Sequence, residues 1–441
     1  MQRRRWMQTI GAGALGFPAI VRGQNLNSRV QLAAVGTEGK GWSDFTSMRT
    51  HAQVDIVGLC DIDRARMERA RHEHKEARWF QDSRRMFAEM EGKIDGVTVS
   101  TADHMHAFIT LDALRRGIHV HCQKPLTHNV WEARQVRLQA QKSGVITRMG
   151  NQIHSHEFYR TGTKWIQDGE IGKIKEVHSW CSATGHGKSY HISRPAEMPV
   201  PETLDWDAWL GVAPFRPYAG GHRVYHPWGW RDWQDFGNGA LGDFGCHILD
   251  PVFTALRIDK PPVSVQCSDH SGMNDEVWPA QNVVHYTFPG LPSTVGPELK
   301  ITWYDGGRLP SIKGSQLPAY EGLPSSGSLF IGQTGSLVLP HVAPPRLYRE
   351  GKLVTEEPAK LPGLDHYHGW VDGIVSGVQP SDGFDYAGPL TEAVLLGNIA
   401  VRYRGQKLDW DAANLRISNL EESNHWIRRD YRQGWEIAAV A

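Results

Sequence analysis

Residues 30–150 carry alternating strand and helix patterns, and this feature restricts the fold more than any other. Each short apolar run is followed by a longer stretch with helical spacing. Regular alternation of this kind predicts a parallel, doubly wound α/β sheet in a first domain of residues 25–150. The predicted strands are VQLAAVG, VDIVGLCD, RWF, DGVTVS, IHVHC and VITRMG.

The turn after the first predicted strand contains Gly36, Gly39 and Gly41 in the order GxxGxG. Glycines at the start of a helix let the backbone approach a pyrophosphate, whose charge the helix N-terminus attracts. Asp61 follows the second strand, where an acidic side chain accepts hydrogen bonds from ribose hydroxyls. The pattern predicts a Rossmann dinucleotide site that prefers NAD, since the 2′-phosphate of NADP would meet Asp61, although nearby Arg64 could receive one. The alternative is a tight turn followed by a solvated aspartate.

Two later turns follow strands of the same sheet and reach the edge where ligands bind in open α/β folds. They are STADHMH, residues 100–106, and QKP, residues 123–125. A lysine at this edge can hydrogen-bond a substrate oxygen and stabilise charge that develops there; otherwise Lys124 is a surface lysine. The cofactor contacts predicted besides the glycines and Asp61 are Trp42, Ser100, Thr101, His104, His106, Gln123, Lys124 and Asn151.

After Asn151 the alternation stops, and the chain carries runs with the two-residue period of half-exposed antiparallel strands. These runs are IGKIKEVHSWCSA, VSVQCSD, QNVVHYTF, ELKITWYD and SLVLP. Residues 151–441 are therefore predicted to form an α+β domain with an open, mainly antiparallel sheet. A stretch rich in Pro, Gly and Ser between residues 306 and 327 predicts a long loop.

Asp243 and His247 lie four residues apart in an aromatic-rich stretch, YHPWGWRDWQDFGNGALGDFGCHILDP. In a helix that begins near Ala240, their side chains share one face. A carboxylate beside an imidazole can hold its tautomer and raise its basicity, and the pair is therefore a candidate general base. The alternative is an aspartate favoured by the helix dipole and a buried core histidine.

The 48 basic and 48 acidic residues cancel, and no block of five like charges occurs. The sequence therefore supports neither a nucleic-acid partner nor an anionic membrane surface, and a small uncharged molecule is the expected partner. The 17 Trp and 12 Tyr residues suit both a large core and a cleft that stacks on sugar rings. The residues predicted to contact a sugar are Tyr190, Tyr225, Trp230, Arg231 and His247.

Three His-x-His pairs raise the question of a metal site: His104/His106, His154/His156 and His366/His368. Because no HExxH motif, Cys/His cluster or suitably spaced third ligand accompanies them, no metal is predicted. The five cysteines form no CxxC motif and are predicted to be small buried side chains.

Arg3, Arg4 and Arg5 precede an uncharged apolar stretch that ends near residue 20. This is the layout of a secretory leader, and the paired arginines resemble the twin-arginine signal that exports folded proteins across the bacterial inner membrane. Residues 1–24 are therefore predicted to be a signal peptide, too short to span a membrane, and the mature protein to be periplasmic. The alternative is an amphipathic or disordered tail.

Several of these motifs, in this order, resemble the glucose-fructose oxidoreductase and inositol dehydrogenase family, Gfo/Idh/MocA. The resemblance covers nearly the whole mature chain and rests on the glycine-rich turn, on TADHMHA for the family's TPxxxH, on QKP for EKP and on D-x-x-x-H at 243–247. It implies Lys124 as the catalytic lysine, Asp243 as its partner and His247 as the acid/base histidine. It also implies a nicotinamide cofactor, a carbohydrate substrate and a homo-oligomer, either dimer or tetramer. Gln123 departs from the family's glutamate.

The expected function is an NAD(P)-dependent oxidoreductase in which His247 removes the proton of a sugar hydroxyl and Lys124 holds the oxygen. A second interpretation is a redox-neutral, NAD-dependent glycoside hydrolase or lyase that oxidises the sugar transiently. A third is a sugar-binding protein with a relict cofactor fold. Because the predicted leader would export the folded chain, the nicotinamide is expected to be bound too tightly to exchange.

Overall fold

The computed structural model describes residues 29–185, 187–221 and 223–440, which form two sheets with helices packed on them. The predicted leader, residues 1–24, lies outside the described residues. No helix among the described residues combines the length and apolar character that crossing a membrane requires. All five cysteines are buried, as predicted.

The first sheet has six parallel strands in the order β3-β2-β1-β4-β5-β6. This is the doubly wound Rossmann order, so the predicted fold of the first domain is confirmed. Its elements are β1 (Val30–Val35), α1 (Lys40–Arg49), β2 (Val54–Cys60), α2 (Arg64–Glu73), β3 (Arg78–Phe80), α3 (Ser83–Glu89), β4 (Gly96–Val99), α4 (Asp103–Arg115), β5 (His119–Gln123), α5 (Val130–Ser143) and β6 (Thr147–Gly150).

Local sequence signals account for several helix ends in this half. Asp63 and Asp82 cap α2 and α3, because each side chain accepts a hydrogen bond from a backbone N–H of the first turn. Asn129 and Glu132 form a capping box at the start of α5, and Gly144 ends that helix in the left-handed conformation. These caps fix where each helix meets the sheet edge that carries the predicted binding residues.

The second half contains ten strands and five α-helices among the described residues. Three short 3₁₀ helices lie before, between and after them: Gln152–Ser155, Gly229–Asp232 and Glu421–Trp426. The elements are α6 (Glu157–Gln167), β7 (Ile174–Trp180), α7 (Trp206–Leu210), α8 (Gly239–Leu256), β8 (Ser264–His270), β9 (Asn282–Pro289), β10 (Glu298–Tyr304), β11 (Gly327–Gly332), β12 (Ser336–Pro340), β13 (Arg346–Arg349), β14 (Lys352–Leu353), α9 (His366–Ser376), α10 (Phe384–Arg402), β15 (Lys407–Asp411) and β16 (Arg416–Ile417).

The second sheet has the order β14-β13-β12-β11-β7-β10-β9-β8-β15-β16. All its neighbours run antiparallel except β7 and β10, so the predicted open, mainly antiparallel sheet is confirmed. Helices α6, α8 and α10 pack on one face. Strand β9 alternates buried and half-buried residues, as expected for a strand with one covered face. The fully buried strand β11 has no such period, and the sequence patterns did not predict it.

The two halves share their cores. Strand β6 ends at Gly150, where the predicted boundary lies, but α9 returns from the second half to cover the first sheet. Trp370 and Ile374 of α9 pack with Leu32 of β1 and Phe45 of α1. Helix α10 packs between α5 and α8, so the helix that carries Asp243 and His247 is held against both halves.

Candidate active site

A cavity of about 670 Å³ lies between the two halves, at the carboxyl edge of the parallel sheet. Its volume is typical of sites that hold a cofactor or substrate. The cavity begins beside Asp61 at one end and reaches Lys124, Asp243 and His247 at the other. One continuous space therefore joins the predicted dinucleotide site to the predicted catalytic residues.

The glycine-rich turn forms a cradle that larger side chains would fill. A Cβ atom on Gly36 would lie 2.3 Å from the carbonyl oxygen of Ser100, and Gly36 has a φ of +84°. A Cβ atom on Gly41 would lie 2.1 Å from the carbonyl oxygen of Gly36. The strand, the turn and α1 pack closely here only because both residues are glycine, which is the arrangement that lets a pyrophosphate approach the backbone. Gly36 and Gly39 border the cavity, whereas Gly41 serves the packing behind it.

Asp61 lies at the end of β2 and is almost fully buried. Its Oδ2 accepts hydrogen bonds from Thr37 N at 2.9 Å and from Thr37 Oγ1 at 3.1 Å, and its Oδ1 accepts one from Asp63 N at 3.1 Å. These donors fix the carboxylate at the cavity wall. Arg66 also borders the cavity, whereas the guanidinium of Arg64 donates to Glu202 O at 2.8 Å. The cation that could receive a 2′-phosphate is therefore Arg66 and not Arg64.

The structure explains why glutamine replaces the family's glutamate at position 123. Gln123 Nε2 donates to Asp44 Oδ2 at 2.8 Å, and Ser100 Oγ donates to the same oxygen at 2.8 Å. Lys40 forms an ion pair with the other oxygen of this buried carboxylate. A glutamate at position 123 would bring a second carboxylate against Asp44, whereas glutamine donates a hydrogen bond to it.

Lys124 and Asp243 form the central ion pair of the site. Lys124 Nζ donates to Oδ1 and to the backbone oxygen of Asp243, each at 2.7 Å. Lys188 Nζ lies 3.6 Å from Asp243 Oδ2, and Arg231 Nε lies 3.7 Å from Oδ1. Burial alone would raise the pKa of Asp243, but these three cations hold it well below its ordinary value. Three cations around one carboxylate leave this end of the cavity positively charged.

His247 does not hydrogen-bond Asp243, which corrects the predicted Asp–His pair. The two residues share one face of α8, but Asp243 bonds Lys124, and His247 Nδ1 lies 2.6 Å from Asn151 Oδ1. Asn151 Nδ2 donates to Cys246 O at 2.9 Å, so the amide presents its oxygen to the ring. Nδ1 of His247 therefore carries the proton, and Nε2 keeps a lone pair. Asn151, predicted to contact the cofactor, is instead a buried residue that orients His247.

The surroundings of His247 favour its neutral form. Burial lowers the pKa of His247 well below its ordinary value, the positive charge of Lys124 and the neighbouring His341 lower it further, and Asp243 opposes them. A neutral ring whose tautomer is fixed by Asn151 can accept a proton at neutral pH.

His104 and His106 border the cavity, but their ring nitrogens face backbone oxygens. His104 Nε2 lies 2.9 Å from Trp209 O, and His106 Nδ1 lies 2.8 Å from Pro125 O. Burial lowers the pKa of His104 to about 3 and that of His106 to about 4, so each neutral ring has a single N–H, which these contacts use. His104 and His106, predicted to contact the cofactor, therefore have structural contacts. His104 connects α4 to α7, and His106 holds the turn that carries Lys124.

Three other predicted binding residues lie outside the cavity. Trp42 faces α2, where the guanidinium of Arg69 stacks 3.7 Å from its ring centroid. Tyr190 is 65% exposed on a loop, with Arg223 over its ring. Tyr225 is 1% exposed and packs in an aromatic core cluster. The structure therefore does not bring these three residues to the cavity, and the sequence could not show this because an aromatic residue can serve a core or an exposed loop as readily as a cleft.

Trp230 and Arg231, by contrast, lie at the cavity. Both border the cavity together with Trp228 and His226. The Arg231 guanidinium is 4.4 Å from the ring centroid of Trp228 and 4.3 Å from that of Trp230. Stacking between two rings fixes the guanidinium beside the Lys124–Asp243 pair, where its N–H groups can meet hydroxyl oxygens.

A segment of the second half closes over the end of the cavity beside Asp61, which we call the adenosine end because Asp61 is the predicted acceptor for the ribose hydroxyls. Residues 202–210, which we call the cover segment, form an antiparallel bridge between Leu204 and Asp63. Arg64 N donates to Thr203 O at 3.0 Å, and Asp205 N donates to Ile62 O at 2.9 Å. His226 Nε2 lies 3.3 Å from Asp63 Oδ2. Trp435 of the C-terminal tail completes this wall, with Arg84 stacked at 4.0 Å from its ring centroid.

Within the described residues, no group of three or more His, Cys, Asp or Glu side chains could hold a metal ion. His154 instead pairs with Asp250, with Nδ1 2.9 Å from Oδ1. His366 Nε2 lies 3.4 Å from His121 Nε2 in the buried contact between α9 and β5.

Two family models match this chain. Residues 11–151 match the model described as "Oxidoreductase family, NAD-binding Rossmann fold", and residues 164–290 match "Oxidoreductase family, C-terminal alpha/beta domain". The chain belongs to the Gfo/Idh/MocA oxidoreductase family. The resemblance read from the glycine turn, TADHMHA, QKP and the D-x-x-x-H motif is thereby confirmed. The cradle of Gly36 and Gly41 and the fixed carboxylate of Asp61 fit the dinucleotide that the first model implies.

The relatives and solved structures that resemble this family member include several sugar enzymes. The 1,5-anhydro-D-fructose reductase of Ensifer adhaerens is 34% identical over 183 residues, 42% of this chain and 44% of that protein, so the chain matches less than half of the relative's length. The structure of the aldose-aldose oxidoreductase of Caulobacter crescentus, solved with glycerol, matches with a TM-score of 0.60 at 16% identity. The match covers 87% of this chain and 100% of that protein's chain. The structure of the WlbA dehydrogenase of Bordetella pertussis, solved with NADH and UDP-GlcNAcA, matches with a TM-score of 0.61 at 15% identity. The match covers 87% of this chain and 99% of that protein's chain. At these identities the two structures support the fold alone.

The sequence patterns missed several residues of this family member's site. Asp44 and Lys188 approach Gln123 and Asp243 from distant elements, and no local motif marks them. Trp435 lies in the C-terminal tail, and no sequence pattern connected that tail with the cavity. Asp103 stood in the predicted TADHMHA turn, and its position as the first residue of α4, at the binding edge, was the available signal.

Proposed function

We propose that this protein is an NAD-dependent oxidoreductase that acts on a hydroxyl group of a carbohydrate. The observation that carries the proposal is that Lys124 of the first half and His247 of the second half border one cavity that extends from the glycine cradle. When bound, a nicotinamide accepts a hydride from the carbon that bears the hydroxyl or returns one to it. The chain's residues have to hold the oxygen, move the proton and exclude water.

Lys124 and His247 are suited to two of these tasks. The ammonium has three N–H donors, of which two bond Asp243, so one is left for a substrate oxygen. A positive charge at that oxygen stabilises the negative charge that develops as its proton leaves. The lone pair on Nε2 of His247 accepts the proton, while Asn151 holds the ring. Trp228, Trp230 and Arg231 supply the stacking surfaces and donors that sugars require.

The choice of NAD over NADP is part of the proposal. The Asp61 carboxylate accepts ribose hydroxyls and repels a 2′-phosphate. Arg66 is near enough to attract such a phosphate, since its Nη2 lies 3.8 Å from the position of a Cβ on Gly39. Because the buried carboxylate is fixed by three donors and Arg66 is on a flexible stem, we assign the preference to Asp61.

We further propose that the cofactor is retained through many catalytic cycles. The cover segment, His226 and Trp435 bridge the adenosine end of the cavity, and release would require the bonds between the cover segment and residues 62–64 to break. Purified protein should therefore carry near-stoichiometric nicotinamide through gel filtration, detectable by mass spectrometry after denaturation. His226→Ala should release it faster. Protein that emerges empty and turns over only with added NAD would contradict retention.

The main proposal is tested by turnover of Lys124→Met and His247→Ala. Loss of a positioned acid/base group lowers turnover by about 10²-fold or more, and we expect this for both variants, with bound nicotinamide unchanged. Lys164→Met is the matched control, because Lys164 pairs with Asp168 on the surface. Near-normal turnover in either site variant would remove that residue from the mechanism.

Redox-neutral cleavage of a glycoside is the second candidate, and the closed adenosine end favours it. A nicotinamide that cannot exchange has to be restored within the site, either by a second sugar or by return of the hydride after elimination. A panel of glycosides, read for both nicotinamide absorbance and aglycone release, distinguishes these outcomes. Release of aglycone without net nicotinamide reduction identifies the cleavage.

Export and assembly are two further proposals. The periplasmic location rests on the sequence of residues 1–24 alone. The homo-oligomer rests on the family resemblance. Cell fractionation and light scattering of the purified protein test the two proposals.

A further inference from the structure

Asp103 places a second carboxyl group in the active cavity. It is the first residue of α4 and is 4% exposed, and it borders the same space as Lys124 and His247. Its Oδ2 accepts a hydrogen bond from Asn238 Nδ2 at 3.2 Å. Asn398 Nδ2 donates to Asn238 Oδ1 at 3.1 Å, which fixes the orientation of the Asn238 amide. The described part of the chain offers Asp103 Oδ1 no hydrogen bond, so this oxygen is left for the cavity.

The charged groups around Asp103 come from three elements. Lys124, after β5, and Arg231, in the 3₁₀ helix, attract a negative charge on Asp103, whereas Asp243 on α8 repels it. Burial is the largest influence and, together with Asp243, raises the pKa of Asp103 to about 7. Both protonation states are therefore populated at neutral pH, which suits a group that takes up and returns a proton.

We infer that Asp103 is a second acid/base residue, which moves a proton on the carbon next to the oxidised carbon of the sugar. The inference rests on the proposed function, because only oxidation of the hydroxyl to a ketone makes that C–H bond acidic. His247 serves the hydroxyl from the second half, and Asp103 faces the cavity from the first half. A simple dehydrogenase needs one such residue, so a second one extends the chemistry to enolisation.

The step balances without a further reagent. The Asp103 carboxylate takes the C–H proton, and the electron pair of that bond forms the C=C bond of an enolate. The enolate oxygen is the former ketone oxygen and lies with the Lys124 ammonium, which stabilises its charge. Return of the proton from Asp103 restores the ketone. Where the next carbon carries a glycosidic oxygen, the same electron pair can instead expel that oxygen, which takes the proton from Asp103 and leaves as the alcohol.

Hydrogen–deuterium exchange tests this step without hydride transfer. The probes are methyl glucopyranosides already oxidised to the ketone at C2, C3 or C4, incubated in D₂O with the purified full-length protein and followed by proton NMR. Wild type should exchange a C–H beside the carbonyl of at least one probe. Asp103→Asn should lower that rate by about 10²-fold or more. Its amide oxygen can still accept from Asn238, so the fold is preserved.

Asp232→Asn is the matched control. Burial likewise raises the pKa of Asp232 to about 7, but its Oδ2 accepts from Lys188 N at 2.9 Å and Ser189 N at 2.6 Å, and it does not border the cavity. This variant should exchange the probe at the wild-type rate. Asp103→Asn should retain its bound nicotinamide, measured by mass spectrometry after denaturation.

The outcomes separate this inference from the proposed function. Exchange by Asp103→Asn at the wild-type rate would overturn the inference while sugar oxidation stands. The same holds if wild type exchanges none of the probes. Loss of exchange together with loss of bound nicotinamide would make Asp103 a cofactor ligand and would also overturn it. Wild type that neither binds nicotinamide nor oxidises any sugar overturns the proposed function itself. If Asp232→Asn lowers the exchange rate as much as Asp103→Asn does, the loss is not specific to Asp103, and the inference is overturned.

Discussion

The pair of His154 and Asp250 should make the stability of this protein depend on pH. His154 lies in the 3₁₀ helix that follows β6, and Asp250 lies on α8 one turn after His247, so the pair fastens α8 to the segment by which the chain leaves the first half. Nδ1 of His154 is 2.9 Å from Asp250 Oδ1, and Tyr386 Oη donates to the same carboxylate oxygen at 2.8 Å. Both side chains of the pair are at most 10% exposed.

The contribution of the His154–Asp250 pair to the free energy of unfolding can be calculated from the pKa of His154. Burial alone would lower this pKa, but the charge and hydrogen bond of Asp250, followed by the charge of Asp382, raise it from 6.5 to about 9. At about 1.36 kcal/mol for each pKa unit, the pair stabilises the fold by about 3 kcal/mol. Because the folded pKa lies above the unfolded one, this stability is present in full below pH 6.5 and is lost as the pH rises through 9.

Asp250→Asn is the perturbation, since it removes the charge and keeps an acceptor for Tyr386. Denaturant unfolding should show a deficit of about 3 kcal/mol at pH 6 that shrinks towards zero near pH 10. Asp372→Asn is the matched control: His51 Nε2 is 3.1 Å from Asp372 Oδ1, but Asp372 is 67% exposed, so its loss should cost less than about 1 kcal/mol at any pH. A deficit in Asp250→Asn that does not change between pH 6 and pH 10 would refute the reasoning.

Three further changes test the cofactor end and the ion pairs of the site. Asp61→Ala should weaken the binding of NAD and narrow the difference in affinity between NAD and NADP, both measured by calorimetry. Tighter binding of NADP than of NAD by wild type would contradict the assigned preference for NAD. Gln123→Glu should lower the free energy of unfolding by about 1–3 kcal/mol, because a carboxylate would replace the amide that donates to Asp44 at 2.8 Å. Asp243→Asn should lower turnover by about 10-fold or more through loss of the charged partner of Lys124. It should also move the rise of kcat/KM to lower pH, because Asp243 raises the pKa of His247; an unchanged pH profile would count against this link.

Local patterns determined most of the fold. The strand and helix periods of residues 30–150, together with the turn of Gly36 and Gly41, depend on residues close in sequence, so the Rossmann sheet and its binding edge could be predicted. The two-residue period of the later strands, such as β9, similarly predicted an antiparallel sheet. Lys124 was found because it directly follows a strand of the parallel sheet, where chain position alone fixes the side of the sheet.

Only the tertiary structure decided which side chains meet. The spacing of Asp243 and His247 on one helix suggested a pair, but Asp243 binds Lys124, 119 residues away, and His247 binds Asn151, 96 residues away. Such partners are set by how α8 packs between the two halves, and a helical period gives the face of a side chain but not what lies opposite it. The aromatic residues of the second half were ambiguous for the same reason: core and cleft use the same rings, and packing alone placed Tyr225 in the core and Trp230 at the cavity.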